Sequence, residues 1–252
     1  MEGTLPALVP PCQRADALPS RADALDGTPL IAGDDQRWPL RGHVRGYSGE
    51  SMNLSPPAFD SLKAQQMMGS YLDLLYTAQP HRNLTRVPRE QAWARHIEES
   101  LSLLPHHDWR DGELVLDFGS GGGVPGIPLA ITLPAVRFLL LERDLAKAAF
   151  LRQCVEAIGL DAVEVLARDA RELGREQGHP RAHLIVSRAA APPPRLLPQL
   201  PPLLAEGGRG LLIVGQTVVL DQPLRELCRR EGLLDPEIIE TNCTRILRVR
   251  RR

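Results

Sequence analysis

Cysteine is scarce in this chain. The four cysteines among 252 residues, Cys12, Cys154, Cys228 and Cys243, are too scattered for a disulfide framework, and they form neither a C-x-x-C pair nor a cluster with histidine at zinc spacing. A metal site is therefore not expected, and the adjacent His106 and His107 have no partner ligands nearby in sequence. No apolar run approaches the roughly 18 residues of a membrane span, and the N-terminus lacks a basic start followed by an apolar block. Membrane insertion and secretion are both disfavoured, and a reduced cytoplasmic compartment is the expectation. Excess charge is missing as well. Thirty Lys and Arg against 31 Asp and Glu leave a formal net charge of −1, so a nucleic-acid partner has to be met by a local basic patch.

What is present suffices for one sizeable α/β core with an appendage, since 43% of the residues are hydrophobic. Residues 1–56 are rich in Pro, Gly, Ala, Asp and Arg without sustained periodicity and are expected to be a disordered extension. Residues 57–252 are expected to form the catalytic domain. Within it, 57–110 reads as a helical lead-in: Phe59, Leu62, Met67, Leu72, Leu75 and Tyr76 suit one or two amphipathic helices, and Ala92 to Leu104 suits another. From residue 111 short apolar runs alternate with helix-length segments. Leu114–Phe118, Val136–Leu141, Val163–Leu166, Leu184–Val186 and Leu211–Val214 read as parallel strands, and Glu237–Ile239 with Ile246–Val249 reads as a terminal hairpin closing one edge. Five parallel strands and a hairpin predict the seven-stranded, mostly parallel Rossmann-like sheet of class I S-adenosylmethionine (AdoMet) methyltransferases. The terminal run Arg245 to Arg252 alternates apolar and basic residues, as an edge strand does, although its cations suit RNA phosphates equally well.

The most informative stretch runs from Leu114 to Pro128: an apolar strand meets Asp117, then a glycine-packed turn, then an apolar segment able to start a helix. Gly121, Gly123 and Gly126 satisfy the dinucleotide fingerprint G-x-G-x-x-G. Asp117 breaks the tie. A carboxylate two residues before the first glycine repels a pyrophosphate but suits a cationic ligand such as AdoMet. Glu142 ends the second apolar run 21 residues past Gly121, the spacing at which a carboxylate accepts hydrogen bonds from ribose hydroxyls. In the plainer reading Asp117 caps a helix and Glu142 faces solvent.

The reaction narrows by what is missing. Where amino-group methyltransferases carry an Asp/Asn-Pro-Pro-aromatic tetrad, this chain has Ser187-Arg188-Ala189-Ala190. Methylation at pyrimidine C5 needs a cysteine nucleophile near the fourth or fifth strand, and Cys154 and Cys228 belong to helices. An acceptor with a free lone pair, such as guanine N7, needs only in-line positioning. Arg188 suits such a site as an anchor for a phosphate or guanine O6, with an ordinary salt bridge as the competing reading.

Asn83-Leu84-Thr85, Arg95-His96-Ile97, the block from Gly119 through Gly-Val-Pro-Gly-Ile-Pro to Ala130, Phe150-Leu151, Ser187-Arg188-Ala189 and Gly215-Gln216 together resemble the bacterial small-subunit rRNA guanine-N7 methyltransferases, the RsmG or GidB family. The resemblance runs from about residue 58 to the C-terminus. It implies AdoMet as cofactor, 16S rRNA within the 30S subunit as partner and N7 of a guanine as acceptor; separately, a monomer is the expectation for this chain. The resemblance also implies that Arg188, His96 and Asn83 serve catalysis, that Arg245 faces cofactor or RNA, and that Asp117, Gly119, Ser120, Gly121, Gly123, Val124, Pro125, Glu142, Arg168, Asp169, Ala170 and Arg188 line the cofactor. The chain departs from the family pattern in places. Val214-Gly215-Gln216 stands for Lys-Gly-Gln, Ala146-Lys147-Ala148-Ala149 keeps one cation of a Lys-Arg pair, Thr77-Ala78-Gln79 replaces a Trp-Asn pair, and Arg168 matches only with a one-residue shift. With RNA-facing cations thinned, a methyltransferase redirected to another substrate and a non-catalytic rRNA-binding protein stay as alternatives.

Overall fold

The computed structural model describes residues 62–252. The expectations for 1–56, and Phe59 in the lead-in, lie outside the described residues.

The chain opens on helix α1 (Leu62–Arg82), whose buried stripe is Ala64, Met68, Tyr71, Leu72 and Leu75. These positions recur at three and four residues, so one face of the helix is apolar and seats against α3 and α4 below. Leu62, read from the sequence as core-facing, is 70% exposed because it precedes the first turn that reaches the core. The expected second helix is real but irregular. A π-helical turn (Trp93–Glu98) runs into a short α2 (Glu99–Leu101), flanked by 3-10 turns, and it buries Ala92, His96, Ile97, Ser100 and Leu103.

The core alternates as the apolar runs predict: β1 (Leu114–Phe118), α3 (Gly126–Thr132), β2 (Arg137–Leu141), α4 (Leu145–Ile158), β3 (Val163–Leu166), α5 (Ala170–Leu173), β4 (Ala182–Arg188), α6 (Pro193–Leu196), β5 (Leu204–Val214), α7 (Gln222–Arg230), β6 (Leu233–Glu240) and β7 (Arg245–Arg251). The seven strands form one sheet in the order β3-β2-β1-β4-β5-β7-β6. The first five are parallel and β7 runs antiparallel to both neighbours. Strand β1 is central and buried at every residue, as a strand covered on both faces must be.

The structure corrects one expectation. Strand β7 is not an edge strand, because it lies between β5 and β6 with Ile246, Leu247 and Val249 fully buried. Its arginines are held by carboxylates across the hairpin: Arg248 by Glu237 at 2.7 Å, Arg250 by Asp235 at 2.8 Å and Arg245 by Glu240 at 2.6 Å. An interior strand needs no cations to block edge-to-edge pairing, so that role falls away for these arginines. Among the described residues, no helix is long and apolar enough to cross a membrane, and no group of three or more His, Cys, Asp and Glu is placed to hold a metal ion.

Candidate active site

The chain leaves β1 toward β2 on one side and returns through β4 on the other, so loops diverge at the carboxyl ends of β1 and β4. Such a switch point opens a crevice in any parallel sheet, and ligands bind there. The residues singled out by sequence at Asp117–Pro125, Glu142 and Arg188 all end up at this rim.

The loop after β1 is held by its own backbone. Gly119 and Ser120 both donate to the Leu141 carbonyl, Gly123 donates back to the Ser120 carbonyl at 2.7 Å, and the Ser120 hydroxyl donates to the Asp117 carbonyl at 3.0 Å. Val124 and Pro125, joined by a cis peptide, are buried and lead directly into α3. Gly121 has φ +56°, and a Cβ there would meet nothing closer than the Gly119 carbonyl at 3.8 Å. Its backbone thus faces open space, which is what a closely approaching ligand requires.

Asp117 is fully buried. One oxygen, Oδ2, accepts from the Gly126 amide at 3.1 Å, so the capping role is present. The other oxygen, Oδ1, is buried without a hydrogen-bond partner. Burial pushes this carboxyl up to about 7, against the opposing pull of the Gly126 N–H. Glu142 does not face solvent: it is 8% exposed, and its two oxygens accept from Gly121 N at 2.9 Å and Asp144 N at 2.8 Å. An orphaned carboxylate oxygen, an open glycine backbone and a second carboxylate beside it fit a cationic ligand with a hydroxylated sugar, as AdoMet is. Truncating Glu142 to Ala is expected to weaken AdoMet binding by about 1–3 kcal/mol, the scale for hydrogen bonds to a charged group. Calorimetry checks this, and unaltered affinity takes Glu142 out of the site.

The loop after β3 is more self-contained. Arg168 pairs with Glu176, and Asp169 caps α5 by accepting from Arg171 N at 2.8 Å, a bond that holds its carboxyl below the usual range. Ala170 opens that helix.

The end of β4 meets the lead-in. Arg188 donates to the Arg95 carbonyl and, at 2.9 Å, to His96 Nδ1, and it lies 3.5 Å from Glu99 Oε2. An arginine only donates, so His96 Nδ1 accepts and the ring proton sits on Nε2, facing Thr85 Oγ1 at 3.0 Å. His96 is fully buried, and desolvation, with the Arg188 charge beside it, pulls it down to about 4. It is a neutral, bonded histidine at neutral pH. Asn83 is exposed, with φ +47°, in the loop that links α1 to this cluster. Arg245 opens β7 opposite Val214, on the same rim two strands from Arg188, and donates to the carbonyls of Gln216 and, at 2.9 Å, Val218.

Three residues that sequence reasoning passed over belong to this arrangement. Tyr71 donates to the Gly122 carbonyl at 2.8 Å. Gln79 ties down the Leu84–Thr85 backbone, accepting from Leu84 N at 2.5 Å and Thr85 N at 2.8 Å. Glu99 is a buried carboxylate 2.5 Å from Arg95. Glu99 lies three residues past His96 on a helical segment, a spacing that could have flagged it; Tyr71 looks like any other core aromatic.

Asp117 and His96 also set opposite pH dependences of stability. The raised carboxyl binds its proton more tightly folded than unfolded, so its stabilisation is present at low pH and is lost as pH rises from about 4 through about 7. The lowered imidazole works the other way, losing its stabilisation as pH falls from about 6.5 through about 4. Asp117→Asn, which keeps an acceptor for Gly126 but cannot ionise, isolates the first effect. The stability of the wild type relative to this variant is expected to fall by roughly 1.4 kcal/mol per pH unit across that window, read from urea midpoints. A pH-independent difference overturns the assignment.

Solved structures share this architecture at low sequence identity. MtNAS in complex with MTA and tNA superposes with a TM-score of 0.52 at 13% identity, over 75% of this chain and 71% of that one. The [4+2]-cyclase SpnF superposes at 0.51 and 15%, over 75% and 96%. Strand order and the glycine loop define the class: this is the fold of the class I AdoMet-dependent methyltransferases. Relatives narrow it further. Ribosomal RNA small subunit methyltransferase G of Marinobacter nauticus is 38% identical over 182 residues, 71% of this chain and 78% of that protein, and the protein of the same name from Rhodopseudomonas palustris strain BisB5 is 37% identical over 183 residues, 71% and 75%. Residues 64–227 match the family GidB, rRNA small subunit methyltransferase G, and the chain belongs to it. It is a methyltransferase.

Proposed function

We propose that this enzyme transfers the methyl group of AdoMet to N7 of a guanine in 16S rRNA, acting on the 30S subunit in the cytoplasm. The observation that carries the reading is the chemistry absent from the rim, taken with the rRNA specificity in the relatives' names. Among the described residues at the ends of β1 and β4, neither His96 nor a cysteine is poised to take a proton or attack a base, and Asp117, which ionises near neutrality, is fully buried, capping α3 and facing the cationic donor rather than the acceptor. His96 has its acceptor nitrogen bonded to Arg188 and is held neutral far below neutral pH. Cys154 is fully buried in α4, where desolvation pushes its thiol up to about 12. Guanine N7 carries its own lone pair and requires neither service.

When bound, AdoMet supplies an electrophilic methyl group on a sulfonium centre. Asp117, the Gly121 backbone and Glu142 hold and orient that donor. Arg188 is fixed on one side by Arg95, His96 and Glu99, while 19% of its side chain stays exposed to meet a guanine or its phosphate. The substrate's charge finds cations close by. Arg86 and Lys147 have no carboxylate partner among the described residues, and Arg82 reaches across from α1 to the Ala146 carbonyl at 3.3 Å, placing a guanidinium where the resemblance leaves a cation missing.

Methyl transfer to undermethylated 30S subunits, mapped by borohydride reduction and aniline cleavage at N7-methylguanine, is expected to label one 16S rRNA position, with free nucleosides inert. Label on free nucleosides or on an exocyclic nitrogen overturns the reading in favour of a redirected substrate.

A further inference from the structure

Helix α1 belongs to the lead-in, yet its apolar face ends in a polar contact with the cofactor loop. The Tyr71 ring is fully buried and burial raises its hydroxyl well above the ordinary value, so it remains a donor at every relevant pH. A buried hydroxyl needs a partner. The partner here is the Gly122 carbonyl, 51 residues away, at 2.8 Å. One helical turn on, Leu75 presses on the same glycine: a Cβ added there would come within 3.0 Å of Leu75 Cδ1 and 3.1 Å of the Leu84 carbonyl. Gly122 is thus enclosed by α1 and by the loop that Gln79 ties to α1. On its other side the preceding amide, Gly121 N–H, is held by Glu142.

We propose that Tyr71 is a positioning residue for the cofactor: by holding the Gly122 carbonyl it sets the orientation in which the Gly121–Gly122 backbone meets AdoMet. The inference rests on the methyltransferase reading above for the identity of the ligand, but the hold on the loop exists without it. The physical logic is preorganisation. A glycine-rich turn samples many backbone states, and a ligand that must select one of them loses affinity by the fraction not already populated. Glu142 and Tyr71 anchor the two peptide groups that flank the Gly121–Gly122 peptide, one from the end of β2 and one from the lead-in. Phenylalanine at position 71 fills the same space and fails only in the hydrogen bond.

The test compares the full-length wild type, Tyr71→Phe and, as a control, Tyr76→Phe, which loses a hydroxyl bonded to the Val87 carbonyl away from the glycine loop. Calorimetric titration with AdoMet is expected to show Kd raised about tenfold in Tyr71→Phe, the scale of one buried hydrogen bond, and unchanged in the control. In methyl transfer, KM for AdoMet should rise while kcat at saturation stays within about twofold, a split that general destabilisation does not produce. In the protein without cofactor, hydrogen exchange at the Gly121–Val124 amides should quicken. Unchanged Kd and unchanged exchange, with only a lower melting temperature, overturn the proposal. Should Tyr71→Phe not fold, Gly122→Ala displaces the same peptide from Leu75 and Leu84, and an unaltered AdoMet Kd in that variant overturns it equally. Failure of the wild type to bind AdoMet would instead remove the methyltransferase reading, leaving the exchange measurement to decide the role of Tyr71.

Discussion

Gly121→Asp is expected to abolish measurable AdoMet binding, lowering affinity by about a thousandfold or more. Two effects combine. The residue holds φ +56°, where a side chain costs roughly 1–3 kcal/mol, although Asp tolerates this region better than most residues. The larger effect is where the new carboxylate goes. A Cβ at 121 enters space free of protein atoms, the space the ligand needs, and the residue's amide lies 2.9 Å from Glu142 Oε2, so a second negative charge arrives beside the first. Gly121→Asn carries the same strain and bulk without the charge and should fall between the two. Calorimetry on folded protein reads all three, and undiminished affinity in Gly121→Asp places the cofactor elsewhere.

Arg188→Ala should cut methyl transfer to 30S subunits by about a hundredfold, the usual scale for lost positioning, while AdoMet affinity stays within a factor of a few. The separation follows from the contacts. Arg188 is bonded to Arg95 and His96 and faces Glu99, and it touches neither Gly121 nor Glu142. Its removal leaves Glu99 paired with Arg95 at 2.5 Å, so no buried charge is stranded and the fold should persist. Arg188→Lys keeps the charge but loses the fork that spans the carbonyl and the imidazole, and should recover little of the rate. At saturating AdoMet and RNA the wild-type rate should be flat between about pH 6.5 and 8.5, because no base has to lose a proton. Subsaturating AdoMet is different: Asp117 titrates near 7, so cofactor affinity should improve as pH rises and that carboxylate ionises to meet a cation. A rate at saturation that climbs with unit slope points to an acceptor that must be deprotonated, and full activity of Arg188→Ala takes Arg188 out of the reaction.

Strand positions were legible in the sequence because a buried parallel strand must be apolar along its whole length. Leu114–Phe118 reads straight off that constraint, and Asp117, the single charged residue in β1, stands out against it; Val163–Leu166, half-buried at the sheet edge, carries Glu164 and shows the constraint relaxed. The glycine loop was legible for a related reason: Gly121 and Gly123 occupy backbone conformations that other residues rarely adopt, so the conformation leaves its mark as composition. Contacts between distant segments leave no such mark. Nothing in the spacing of Tyr71 and Gly122, or of Arg188 and the His96–Glu99 pair, says that they meet, because those contacts depend on how α1 and the π-helical turn seat against the sheet. The terminal arginines make the same point from the other direction. Their alternation with Ile246, Leu247 and Val249 marks a strand, but whether that strand lies at an edge or inside the sheet is set by pairing with β5 and β6. Local backbone demands and continuous burial are thus written residue by residue in this chain, while the partners of Tyr71, His96 and Arg188 were chosen only when the lead-in closed over the ends of β1 and β4.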